Sequence, residues 1–96
     1  MILRFHPDAE LEFKDAIHWY EFQRRGLGSE FVLCVDEAIE KIKGNPQMFP
    51  VVHRNIRRAV MRRFPFAIFY EIKDPEIKML AVFHSKRDPK RWKLRK

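Results

Sequence analysis

Two pairs of arginines, Arg57-Arg58 and Arg62-Arg63, and a histidine, His84, with Arg87 three residues on, are the side chains whose types and spacing could do chemistry. A guanidinium offers a planar fork of donors, so Arg62, Arg63 and Arg87 suit a phosphate better than lysines would. His84 could carry a proton, because an imidazole titrates near neutrality unless its surroundings move it. Cations on a phosphate and a group that moves a proton are parts that phosphodiester cleavage requires. The plainer alternatives are a solvated strand face for the arginines and a structural hydrogen bond for His84. Against the first, five basic residues from Arg54 to Arg63 include no acid. Their mutual repulsion has no local offset, and an anion from another molecule explains it better.

Other candidates carry less. His6, His18 and His53 have no carboxylate or cysteine at ligand spacing, so neither a metal site nor a cofactor is expected. Cys34 is the sole cysteine and falls on an apolar helical stripe, which predicts a core role and excludes an internal disulfide framework. Trp19, Tyr20, Phe64, Phe66 and Phe69 read as core or hairpin packing in preference to stacking platforms.

Composition narrows the partners. The 96 residues suit one domain, and 46% hydrophobic residues with nine Phe argue against disorder. The net charge is +7, yet residues 1–44 hold six basic and nine acidic side chains, while residues 45–96 hold fourteen and four. The second half therefore supplies the whole positive excess, and a polyanion or an acidic protein is the expected partner. From Lys86 to Lys96 seven residues are basic and one is acidic, with Trp92 as a possible anchor and Asp88-Pro89 as a turn. No apolar run approaches the roughly 20 residues that span a bilayer, and the single cysteine suits a reducing compartment, so a cytoplasmic location without membrane contact is expected.

The positioning elements follow from periodicity. Ile2 to Phe5 alternates as a short strand, and His6-Pro7 opens a helix with acids in its first turns. Ala9, Phe13, Ala16, Ile17 and Tyr20 form its apolar face up to Arg24-Arg25-Gly26. Ser29 is the predicted N-cap of a second helix, whose Phe31, Cys34, Val35, Ala38, Ile39 and Ile42 keep helical spacing as far as Gly44. After a loop at Asn45-Pro46 the period becomes two: a strand is predicted over 56–64, a buried one over 66–72 and a central one over 77–84. The expected fold class is α+β, an antiparallel sheet with an N-terminal helical hairpin on one face in the order β-α-α-β-β-β.

The stretch from Arg63 to Glu71 (RFPFAIFYE), the stretch from Leu80 to Pro89 (LAVFHSKRDP) and Trp92 resemble the RelE/ParE toxin superfamily, most closely its ParE-like, plasmid-stabilisation branch. Pro7, Ala9, the Ala16 to Tyr20 helix face, Gly26-Leu27-Gly28, Phe31, Ala38, Ile42, Asn45-Pro46 and Phe49-Pro50 extend the resemblance almost end to end. It implies a toxin of a bacterial toxin–antitoxin pair, bound by a cognate antitoxin. Arg57, Arg58, Arg62, Arg63, Lys86, Arg87, Arg91 and Trp92 are the residues expected to meet antitoxin or target. The ParE-like branch acts on DNA gyrase without hydrolysis. The RelE-like branch cleaves mRNA on the ribosome, a role in which His84 would move the proton while Arg62 and Arg87 hold the phosphate. The C-terminal tyrosine of several family nucleases is missing here, with Trp92 and Lys93 to Lys96 in that region, so gyrase inhibition is favoured. A non-toxic nucleic-acid-binding module is the remaining alternative.

Overall fold

The computed structural model describes residues 1–85 and Arg95. Strand β1 (Ile2–Phe5) leads into helix α1 (Pro7–Gln23), where the His6 Nδ1 accepts a hydrogen bond from the Asp8 N–H at 3.0 Å. Proline in the first turn loses no helical hydrogen bond, and Asp8 and Glu10 favour the positive end of the helix dipole. Helix α2 (Leu27–Gly44) begins two residues before the predicted cap. Ser29 lies inside it, and the Glu21 carboxylate does the capping, accepting from Gly26 N–H at 2.9 Å and Gly28 N–H at 3.0 Å. A carboxylate reaching back from α1 satisfies the orphan donors of α2, a long-range cap that local spacing does not reveal. Gly26 takes a positive φ of 88°, and a Cβ on Gly28 would lie 2.9 Å from the Ile17 carbonyl oxygen.

The sheet runs β1-β5-β4-β3-β2, with β2 (Val51–His53), β3 (Ile56–Val60), β4 (Phe66–Lys73) and β5 (Glu76–His84) antiparallel in sequence. The α+β architecture with its helical hairpin agrees with expectation. Two details differ from the sequence reading. β1 joins β5 in parallel, from Ile2↔Glu76 to Phe5↔Met79, because a strand separated from its partner by the hairpin is free of the hairpin's antiparallel constraint. A fifth strand, β2, sits at the other edge where a loop was expected; three residues are too few for a visible alternation.

One face of the sheet carries the helices. Ala16, Phe31, Val35 and Ile42 pack on Ile68, Tyr70, Ile77, Met79 and Val82 in the main core. The predicted apolar stripes of both helices point into it, with Cys34 partly buried among them. Trp19 does not: it stands 61% exposed, because it lies beside and not on the Phe13-Ile17-Tyr20 face. The other sheet face has its own cluster of Ile56, Ala67, Phe69, Leu80, Ala81 and Phe83. β5 is buried on both faces between β1 and β4, as its continuous apolar run predicts.

Candidate functional site

β3 ends at Val60, four residues earlier than its alternation suggests, and Met61 to Pro65 form a loop before β4. The pleat places Ile56, Arg58 and Val60 on the face away from the helices and Arg57, Ala59 and Met61 on the helical face. Arg62 and Arg63 therefore belong to a loop and not to a charged strand face. That loop is held in place by the Met61 N–H on the Phe66 carbonyl (3.0 Å) and the Ser85 N–H on the Pro65 carbonyl (2.7 Å). Phe64 is buried edge-on against Tyr20 (4.7 Å) and Phe31 (5.1 Å), which anchors the loop to the helical hairpin. The aromatic residues of this stretch are packing, as expected.

Beneath the loop, on the far sheet face, lies a groove of about 670 Å³. Val52, Val60, Phe69 and Phe83 give it an apolar lining, and Arg58, Arg62, Arg63, His84 and Ser85 a polar one. The structure thus brings Arg58, Arg62 and Arg63 to the same groove as His84. Arg58 and Arg62 are exposed, and their side chains make no ion pair or hydrogen bond among the described residues. Arg63 is different. Its Nη2 lies 2.6 Å from the Glu30 Oε1, and the other Glu30 oxygen takes the Arg24 Nη2 at 3.1 Å. These two hydrogen bonds, Arg63 first, hold the Glu30 carboxyl below the ordinary 4.5, and the pairing raises Arg63. Glu30 is a partner that sequence reading missed, since it lies 33 residues from Arg63.

Arg57 stands apart from the groove. Its Nη1 donates to the Gln47 carbonyl at 3.0 Å and the Phe49 carbonyl at 2.7 Å, stapling the segment before β2 to the sheet. The expected four-arginine patch therefore resolves into two uncompensated guanidiniums, one paired and one spent on backbone. His84 ends β5 opposite Phe66, with its ring edge-on to that phenyl at 5.4 Å. Lys86, Arg87, Arg91 and Trp92 lie outside the described residues.

Tyr70 is fully buried and donates to the Pro46 carbonyl at 2.6 Å, which ties the loop to β4, and burial pushes its phenol upward. Among the described residues no three His, Cys, Asp or Glu side chains gather to hold a metal ion. Among them, too, no helix is long and apolar enough to cross a membrane. Sequence reading also passed over an exposed apolar stripe of Leu11, Trp19 and Phe22 on α1 and the exposed Val51 and Val52 of the β2 edge. The i, i+8, i+11 spacing of the first three was a legible signal.

Taken together, an apolar floor rimmed by free guanidiniums can seat an anionic side chain or phosphate beside hydrophobic groups. Comparison with known proteins bears on whose groups these are. The chain is similar in structure to a protein of the chromosomal ParDE TA system from P. aeruginosa, with a TM-score of 0.66, 19% identity, and coverage of 88% of this chain and 95% of that one. At that identity the likeness shows the fold. No curated protein matches in sequence. The family described as ParE toxin of type II toxin-antitoxin system, parDE, matches residues 3–89, and the chain belongs to that family.

Proposed function

We propose that this chain is a ParE-like toxin that inhibits DNA gyrase by protein–protein contact and is neutralised by a cognate antitoxin. The observation that carries the reading is the pair Arg58 and Arg62, exposed and uncompensated above the apolar floor of Val60, Phe69 and Phe83. Two like charges lining one groove repel unless a partner supplies anions, and an apolar floor suits a protein partner better than a bare phosphate backbone. An acidic segment of the antitoxin would gain the same contacts, so target and antitoxin compete for one face. Lys86, Arg87, Arg91 and Trp92 extend this contact region in the proposal; Arg63 lines it while tied to Glu30, and Arg57 braces the sheet edge outside it.

A second reading is supported by one specific placement: His84 lines the same groove as Arg62, the arrangement a ribosome-dependent RNase would need. Supercoiling by purified gyrase and cleavage of mRNA on translating ribosomes, each measured with added toxin, separate the two. Inhibited supercoiling with intact mRNA is the expected result. Intact supercoiling with cut mRNA would replace the proposal by the nuclease, and duplex binding with steep salt dependence and no growth arrest would replace both.

A further inference from the structure

β1 accompanies β5 only as far as Phe5↔Met79, where the His6 N–H donates to the Met79 carbonyl. Beyond Met79 no strand lies beside the outer edge of β5 among the described residues, and its backbone groups there need other partners. Glu12 and Arg95 provide them. Glu12 Oε1 accepts from the Val82 N–H at 3.1 Å, and Arg95 Nη1 donates to the Leu80 carbonyl at 3.0 Å. The two side chains close on each other as a fork, Nη1 to Oε1 at 2.9 Å and Nη2 to Oε2 at 2.6 Å. The Asp8 carboxylate lies 3.7 Å from the Arg95 Nε, and the guanidinium carbon sits 5.1 Å from the centre of the Phe83 ring.

Two carboxylates, a carbonyl and an aromatic ring are the chemistry that selects a guanidinium over an ammonium, because only the planar fork meets them together. The side chains of Arg95 and Glu12 are 12% and 14% exposed. Glu12 Oε1 accepts from the Val82 N–H as well as from Arg95, so the sheet edge and the guanidinium hold the acceptor together, and an empty site would leave a carboxylate poorly solvated. A groove of about 600 Å³ opens beside Glu12, lined by Asp15, Trp19, Tyr20, Val82 and His84. Its acidic side chains contrast with the arginine rim of the other groove, and the exposed Trp19 lies in it.

We propose that Glu12, Asp8, the Leu80 carbonyl and Phe83 form a guanidinium-binding site, filled in cis by Arg95, which an arginine on an apolar-flanked segment of a protein partner can take over. Charge and apolar complementarity of the adjoining groove select that occupant. The site shares Phe83 with the groove assigned to gyrase, but its existence does not rest on that assignment.

The probe is N-acetyl-argininamide, with N-acetyl-lysinamide as control, on the full chain. Arg95→Ala is expected to raise the exchange rate of the Val82 amide roughly tenfold or more, since the loss of one partner uncouples a buried pair. Millimolar argininamide then restores protection, lysinamide does not, and the added substitution Glu12→Gln abolishes the rescue. Should Arg95→Ala not fold, Arg95→Lys keeps the charge without the fork and is expected to show the same argininamide-specific recovery. Unchanged Val82 protection in both variants, rescue by either amine alike, or rescue that survives Glu12→Gln overturns the proposal.

Discussion

Arg57 and Arg58 are neighbours in the chain that the pleat of β3 sends to opposite faces of the sheet. The Arg57 side chain is held by the carbonyls of Gln47 and Phe49, whereas the Arg58 side chain is exposed without a partner among the described residues. Charge that looks continuous along the strand is thus divided between a structural staple and a binding face. Arg57→Ala should lower stability by about 1–3 kcal/mol, because two carbonyls lose a charged donor, while Arg58→Ala should change it by less than about 0.5 kcal/mol. Urea unfolding of the two variants checks the contrast.

Charge reversal tests the contact face. Arg58→Glu with Arg62→Glu should leave the fold intact and slow association with the antitoxin at least tenfold, with a weaker salt dependence. Association rates at two ionic strengths measure it, and supercoiling inhibition should fall in parallel.

The turn between the helices is sensitive at two glycines for different reasons. Gly28→Ala would bring a Cβ to 2.9 Å from the Ile17 carbonyl oxygen, a backbone atom that cannot move without parting the hairpin, and should cost about 1–3 kcal/mol. Gly26→Ala meets open space but must keep a φ of 88°, at a cost of about 1–2 kcal/mol. Thermal unfolding should rank Gly28→Ala at or below Gly26→Ala.

Acid should loosen the same region. The N–H groups of Gly26 and then Gly28 hold the Glu21 carboxyl below 4.5, as Arg63 and then Arg24 hold that of Glu30. The folded state therefore binds fewer protons than the unfolded one, and the stability these groups contribute is complete above about pH 4.5 and disappears as the pH falls through their lowered values. Glu21→Gln and Glu30→Gln together should lower the midpoint at pH 7 and flatten its decline below pH 4.5. Melting curves from pH 7 to pH 2.5 give both.

Tyr70→Phe removes the donor to the Pro46 carbonyl and should cost about 1 kcal/mol. Because burial raises the phenol, the native protein should lose stability as the pH climbs above the ordinary value of 10, and the Phe variant should lose less. Stability measured between pH 8 and pH 11 on both proteins checks the sign.

Much of this protein was legible in its sequence because its signals are local. The stripes Ala9-Phe13-Ala16-Tyr20 and Phe31-Val35-Ile42 repeat at the helical period, and the run over 77–84 is apolar on both parities after Lys78, so the hairpin and the central strand followed from spacing alone. The charge segregation was equally plain, and it pointed to the half of the chain where the groove lies. What only the tertiary structure decided are the pairings across long separations: Arg63 with Glu30, Glu12 with Arg95, Tyr70 with Pro46, and β1 beside β5. A side chain's type shows that it needs a partner, but which partner reaches it depends on how the helices settle on the sheet. For that reason the run of basic residues was evident from the start, while its division into free, paired and stapled arginines awaited the fold.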